Sequence, residues 1–412
     1  LGNYTPLAPF RILDTRSSHA PLGAGSTHTL QVTGVGTPPI PGTAVAVVLN
    51  VTEVDGTSAS LLTVYPTGTL RPNASNLNFA AGTVTANLVT ATLGQGGAVT
   101  IYNALGSVNV LADVEGYYAP PASSTPLGEF HPISPVRVCD TRPSRTPTAC
   151  SVHGAVTGGA PMIVNVTGSG AGSVPNEGTA EAAVLNITGV SGTSPTYISV
   201  FPTTSSGTCA FNGSHPPSIS TLNLMGSSVV ANRVMVELGP ASPGGPDTSV
   251  CVYAALGRIN VVLDANGWYG EAGAPSGAQY EAIAPSRICD TRAASAGCTS
   301  GALGAAVSRL VAVSGNGGVP AVGGGNPVVV AVIANLTAIA PSQATYLTLF
   351  PSDAGTQTPP LASDLNVNAG ETLPNLTVVQ LDTAGDAHDG AMSLFNPIGS
   401  INAAIDLEGW FQ

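Results

Sequence analysis

The scarcest side chains in this protein are also the most regularly placed. All 11 cationic residues are arginine, and six of them sit in three copies of one phrase, P-x-R-x-x-D-T-R. The copies carry Arg11, Asp14 and Arg16, then Arg137, Asp140 and Arg142, then Arg287, Asp290 and Arg292. A further acid closes each repeat: Asp113, Asp264 and Asp406. Two chemistries suit such a set. Two carboxyls about 5–10 Å apart across a cleft could cleave a glycosidic bond as acid and base or nucleophile. Alternatively, an arginine fork near the start of a repeat could neutralise a buried aspartate near its end and tie the first strand to the last. The set recurs three times without variation resembling a substrate pocket. The latch is therefore the expectation, and no catalytic residue is assigned.

The elements that must position these residues read as strands. Leu49-Asn-Val-Thr52, Leu185-Asn-Ile-Thr188 and Ala334-Asn-Leu-Thr337 correspond, as do segments ending in Tyr65-Pro66, Phe201-Pro202 and Phe350-Pro351. Each repeat closes on an acid, a glycine and an aromatic pair: Gly116-Tyr-Tyr118, Gly267-Trp-Tyr269 and Gly409-Trp-Phe411. The segments are five to nine residues long, rich in Val, Ile and Thr, and separated by Gly, Pro, Asn and Ser. They predict an all-β chain of three tandem antiparallel β-sandwich, jelly-roll-like domains at residues 1–121, 122–272 and 273–412, with seven or eight strands each. The short linkers leave open a string of beads or a pseudo-trimer closed on itself, and their similarity favours the pseudo-trimer. The Asn-x-Thr triplets at Asn50, Asn186 and Asn335 fall within strands and read as side chains bonding to backbone, not as glycosylation signals.

Only 8% of residues are charged, against about a quarter in an ordinary domain. A net charge of −12 without any basic stripe argues against nucleic acid and against anionic membrane surfaces. The apolar runs are too short to insert through a bilayer. Cysteines follow the repeats: Cys139 and Cys150 flank the loop after the second phrase, Cys289 and Cys298 the loop after the third, and the first repeat has none. Local pairs Cys139–Cys150 and Cys289–Cys298 are expected, leaving Cys209 to Cys251 and implying an oxidising compartment. The numbering opens at Leu1, which suggests a trimmed piece of a longer chain with flanking domains or assembly partners outside it.

Repeats that open with P-x-R-[IV]-x-D-T-R, carry L-N-V-T and V-Y-P strands and close with D-x-x-G-[YW]-[YF] resemble tandem modules of actinobacterial secreted and cell-surface proteins. The resemblance spans essentially the whole chain. It implies export to the extracellular space or cell surface and a non-catalytic binding, adhesion or structural display role. It brings no assigned ligand.

Other candidates are weaker. Trp268, Trp410 and Tyr118 could offer stacking faces to sugar rings, although core closure suits them as well. They keep open a carbohydrate-binding module serving a wall-associated hydrolase, and a phage or appendage fibre component is a third reading. The six histidines do not recur at matched positions, and His131 with His153 reads as solvated loop residues. Asp382, Asp386 and Asp389 could supply part of a calcium shell but not the six to eight oxygens such a site takes. No cofactor or metal is expected. A surface glycan or protein partner would meet loops that differ between repeats, such as residues 203–217 and 352–361.

Overall fold

Short β-branched runs cut by turn residues leave the backbone little choice but the extended ladder. The computed structural model contains strands and turns only among its described residues, which are all except 122–126, 144–149, 151–152, 169–173, 176–177, 210–218 and 353–357. The first repeat supplies β1 (Asn3–Asp14), β2 (Thr27–Gln31), β3 (Ala46–Val54), β4 (Ser60–Pro66), β5 (Leu77–Phe79), β6 (Val84–Thr92), β7 (Ala98–Asn103) and β8 (Asn109–Ala119). They form two antiparallel sheets, ordered β1-β8-β3-β6 and β2-β7-β4-β5.

The second repeat supplies β9 (Phe130–Asp140), β10 (Val156–Thr157), β11 (Met162–Asn165), β12 (Ala180–Val190), β13 (Thr196–Pro202), β14 (Leu222–Leu224), β15 (Val229–Glu237), β16 (Gly239–Pro240), β17 (Asp247–Ala254) and β18 (Arg258–Gly270). Its main paths are β9-β18-β12-β15 and β11-β17-β13-β14, with β10 and β16 as two-residue additions. The third supplies β19 (Tyr280–Asp290), β20 (Val307–Ala312), β21 (Ala331–Ile339), β22 (Thr345–Pro351), β23 (Leu365–Val367), β24 (Thr372–Gln380), β25 (Ala391–Asn396) and β26 (Asn402–Phe411). Its sheets are β19-β26-β21-β24 and β20-β25-β22-β23. Six small antiparallel sheets result, two from each repeat.

Side chains on a strand point alternately to its two faces, and here both faces of one sheet per repeat are covered. In β3, Val47, Leu49 and Val51 enter a cluster shared with the second sheet of the same repeat. Ala46 and Val48, on the opposite face, enter a cluster that all three repeats share. Strands β12 and β21 divide in the same way: Ala183, Leu185 and Ile187 against Ala182 and Val184, and Val332, Ala334 and Leu336 against Ala331 and Ile333. Apolar–polar alternation is therefore absent from these strands, because neither face of them meets water.

The shared cluster is crowned by six aromatics, Tyr4, Tyr118, Phe130, Tyr269, Tyr280 and Phe411, all at most 1% exposed. Tyr118 stacks on Tyr280 with centroids 4.1 Å apart, and Phe130 meets Phe411 at 4.4 Å. The Tyr118 and Tyr269 hydroxyls bond to each other, and the Tyr280 hydroxyl donates to the Glu408 carbonyl at 2.8 Å. At the same end the three opening segments pair across repeats, Gly2 with Tyr280 and Phe130 with Ala278. This packing explains the glycine of each closing motif. A Cβ at Gly116, Gly267 or Gly409 would overlap the ring of Tyr4, Phe130 or Tyr280. Gly409→Ala should cost about 1–3 kcal/mol or more, as overpacking does, and a thermal melt matching the native protein would contradict that account.

Candidate functional site

Each opening phrase lies on the first strand of its repeat, directly beside the last. Arg11 pairs in register with Asp113, Arg137 with Asp264, and Arg287 with Asp406. A register shift follows each of these arginines, so the phrase bulges before its own aspartate. Such bulges re-aim side chains. The Arg11 Nε and Nη2 donate to the two Asp113 carboxylate oxygens at 2.8 and 2.9 Å, and Arg287 grips Asp406 in the same way at 2.7 and 2.8 Å. Arg137 makes the equivalent fork on Asp264 and donates as well to the Leu361 carbonyl of the third repeat.

The rest of the phrase extends the chain of charge. Arg16, Arg142 and Arg292 fork back onto Asp14, Asp140 and Asp290, whose carboxylates also face the first arginine at 3.3–3.6 Å. The Arg16 guanidinium holds the Asp14 carboxyl down at about 2, and Asp290 is lowered by Arg292 in the same manner. Asp113, Asp264 and Asp406 go the other way: burial pushes their carboxyls up, and the arginine forks offset part of that. The phrase threonines tie the first strand to the last as well. Thr15, Thr141 and Thr291 accept from the backbone N–H of Val110, Val261 and Ala403 on the closing strands. Three phrase arginines thus hold first strands against last strands, and the other three brace the phrase aspartates beside them. Both oxygens of each closing aspartate accept from its fork, an arrangement suited to a latch and not to acid–base turnover.

The stacking faces proposed for sugars are absent, which is a correction. Trp268 and Trp410 are each 6% exposed, sealed in the clusters of the second and third repeats, and Tyr118 is fully buried in the shared cluster. Strand alternation places one aromatic of each closing pair in its own repeat and the other against its neighbours; Tyr117 alone stays partly exposed, lining a cleft beside Glu181. His131 is likewise no solvated loop residue: its ring stacks on Trp268 at 3.7 Å, and burial lowers its pKa. The three disulfides are Cys139–Cys150, Cys209–Cys251 and Cys289–Cys298. The differing loops named for partner binding, 203–217 and 352–361, include residues 210–217 and 353–357, and those parts lie outside the described residues.

A buried amide ring, missed in the sequence, joins the repeats. The Nδ2 groups of Asn87, Asn232 and Asn375 donate to the Oδ1 atoms of Asn335, Asn50 and Asn186, each at 2.9 Å and each in another repeat. The Oδ1 atoms of Asn87, Asn232 and Asn375 accept from the backbone N–H of Leu376, Leu88 and Arg233 at 3.0–3.1 Å. Asn50, Asn186 and Asn335 then donate to carbonyls of Ser220, Ser363 and Ser75, again across repeats. Asparagine suits a closed ring because its side chain both donates and accepts. The signal was an asparagine at the same place in otherwise apolar strands of all three repeats. It could be read as local bonding, but its partners belong to neighbouring repeats.

Bulges in the closing strands supply a second tie. Register shifts turn Glu115, Asn266 and Glu408 out of the ladder. Glu115 accepts from the Met235 N–H at 3.0 Å, and Glu408 accepts from Thr90 N–H at 2.8 Å and from Asn76 at 2.6 Å. Burial raises both carboxyls to about 8. Clefts open at each seam between repeats: about 420 Å³ beside Pro135 and Phe350, about 320 Å³ beside Tyr117 and Glu181, and about 180 Å³ beside Arg71 and Arg292. The loop after β24 brings Asp382, Asp386 and Asp389 together, with one carboxylate oxygen of each within 4.8 Å of the others.

The chain matches no protein-family model and no curated protein. Two solved structures align with it along most of its length. One is described as the triple jelly roll fold and turret assembly in an archaeal virus, 9% identical over 99% of this chain and 96% of that chain, with a TM-score of 0.17. The other is the atomic structure of Sulfolobus Turreted Icosahedral Virus, 9% identical over 95% of this chain and 84% of that chain, with a TM-score of 0.17. At that score neither likeness carries fold or role over to this chain.

Proposed function

We propose that the chain is a non-catalytic structural or display unit of a secreted or cell-surface protein, made of three jelly-roll-like sandwiches closed about a pseudo-threefold axis. The strand order 1-8-3-6 facing 2-7-4-5 in the first and third repeats supports the jelly-roll reading. The carrying observation is the cyclic asparagine ring, in which each repeat donates to one neighbour and accepts from the other. It joins the repeats into one rigid platform whose outer loops and seams face a surface glycan or protein partner. Three disulfides fit an oxidising, non-cytoplasmic setting, and among the described residues no helix is long and apolar enough to cross a membrane. Export and membership of the actinobacterial surface-module group rest on the motif resemblance.

The test has two arms. Fractionation of producing cells, with antibody labelling, should place the protein at the envelope or in the medium. Asp264→Asn should lower stability by about 3 kcal/mol, near the lower end of the cost of breaking a buried pair, while a screen of glycosides finds no turnover. Cytoplasmic retention would sink the surface role. Turnover that Asp264→Asn abolishes at unchanged melting temperature would replace the structural reading with an enzymatic one.

A further inference from the structure

The third repeat differs from the first two in the loop that follows β24. Where the first has Leu93-Gly-Gln-Gly-Gly97 and the second a Pro- and Gly-rich stretch after Leu238, the third has Leu381-Asp-Thr-Ala-Gly-Asp-Ala-His-Asp-Gly390. Two of its acids, Asp386 and Asp389, lie toward the surface. They would be ordinary alone. Asp382 is different: it is only 7% exposed, and its Oδ2 is buried without any hydrogen-bond partner. A buried carboxylate oxygen with nothing to bind it carries a large desolvation cost. Yet this carboxylate stands within 4.8 Å of the other two, an arrangement that like charges oppose unless a cation lies among them.

One oxygen of each acid is already fixed by backbone. Asp382 Oδ1 accepts from Ala384 N–H at 3.0 Å, Asp386 Oδ1 from His388 N–H at 2.6 Å, and Asp389 Oδ1 from Gly385 N–H at 2.7 Å. Those bonds orient the carboxylates and leave the Oδ2 atoms to face a ligand. Asp382 and Asp389 also line a cavity of about 150 Å³ together with Ser314 and Asn326. The Asn326 Nδ2 donates to the Ala321 carbonyl at 3.0 Å, which leaves its Oδ1 as a further neutral oxygen. The donors are hard oxygens from two loops. Neither thiolate nor imidazole belongs to the group, which disfavours zinc and copper. Several neutral and anionic oxygens in an adaptable loop suit calcium better than magnesium, which demands a tight octahedron.

We propose that Asp382, Asp386 and Asp389 form a calcium site, completed by neutral oxygens of the adjoining cavity, that clamps the loop after β24 to the loop carrying Asn326. The affinity expected is that of extracellular modules, with Kd about 10⁻⁴–10⁻³ M. The experiment is titration calorimetry and thermal melting of chelator-treated full chain with calcium chloride, and with magnesium chloride in parallel. Calcium should bind at one site per chain and raise Tm by about 2 °C or more at saturation. Asp386→Asn with Asp389→Asn, two substitutions in the outer part of the loop, should abolish both effects while the calcium-free melt stays close to native. Asp382→Asn should raise the calcium-free Tm, because it removes the buried charge, and should abolish binding. Absence of calcium binding at millimolar concentration, an equal response to magnesium, or a Tm rise that survives in the double variant would each overturn the assignment.

Discussion

Arg233→Leu should be the most destabilising single substitution at the seams between repeats, and adding Asp364→Asn should restore most of the loss. Arg233 is fully buried at the position where the first and third repeats carry Leu88 and Leu376. Its guanidinium donates to Asp364 Oδ1 at 2.6 Å, to Asn266 Oδ1, and to the Leu376 carbonyl at 3.1 Å. Asp364, 2% exposed, belongs to the third repeat and also accepts from the Leu349 N–H at 2.7 Å. Burial lowers the Arg233 pKa, and its charge is sustained by Asp364. Removing the arginine alone strands an ionised carboxylate in the seam, at a cost of about 3–5 kcal/mol.

The equivalent seam between the third and first repeats shows the neutral solution. There Leu376 replaces the arginine and Asn76 replaces Asp364, with Asn76 Oδ1 accepting from the Val64 N–H at 2.7 Å and its Nδ2 donating to Glu408. In the double variant the amide introduced by Asp364→Asn would repeat both bonds, donating to Asn266 in place of Glu408. Replacing a buried ion pair by groups of similar shape is often neutral, so the double variant should lie within about 1 kcal/mol of native. Chemical denaturation of the four members of the cycle measures the coupling. A mild effect of Arg233→Leu, or strict additivity with Asp364→Asn, would show that the seam is wet and that the pair contributes little.

What could be read from the sequence was whatever recurs within a repeat. The phrase arginines and closing aspartates announced contact between first and last strands, because scarce charges at matched places need partners. The cysteines announced their pairing by being absent where the first repeat has none. The strands were readable from their Val, Ile and Thr content and the turns between them. Facing was not. A reading made one repeat at a time cannot tell whether the second face of β3, β12 or β21 meets water, although Ala46-Val-Val-Leu49 already lacked polar alternation. That one ambiguity accounts for Tyr118 being offered to a sugar and for the strand asparagines being paired with local backbone, whereas the tryptophans lie in the cores of their own repeats. Arg233 had no visible role because its partner lies in another repeat, 131 residues away in sequence.

Stability should fall as pH rises from about 5 to 8, and Glu115→Gln should make that slope shallower by one group's share, since burial also raises Glu408, Glu53 and Glu181. Glu115 is 3% exposed and sits at the seam with the second repeat, where burial raises its carboxyl from an ordinary 4.5 to about 8. Glu408, 1% exposed at the seam with the first repeat, shifts to the same extent for the same reason. Below pH 4.5 both states hold the proton and neither residue affects folding. Between 4.5 and 8 the unfolded chain ionises while the folded chain retains its protons. Each group then subtracts up to about 1.4 kcal/mol per pH unit, and the loss levels off above 8. The phrase aspartates act in the opposite sense at lower pH: Asp14, held at about 2, contributes stability that is present above 3.8 and disappears as pH falls toward 2. An optimum between about pH 4 and 5 follows. Glu115 is the better probe of the two, because it accepts one backbone N–H through Oε2, a bond that the glutamine carbonyl can keep. Asn266 already fills the equivalent place in the second repeat with a neutral amide. Both Glu408 oxygens accept from donors, so Glu408→Gln would set an amide N–H against one of those donors and destabilise at every pH. Thermal melts from pH 4 to 9 decide the matter. A native profile that is flat or rising between 5 and 8, or a Glu115→Gln profile as steep as the native one, would show that these seams admit water and leave the acids charged.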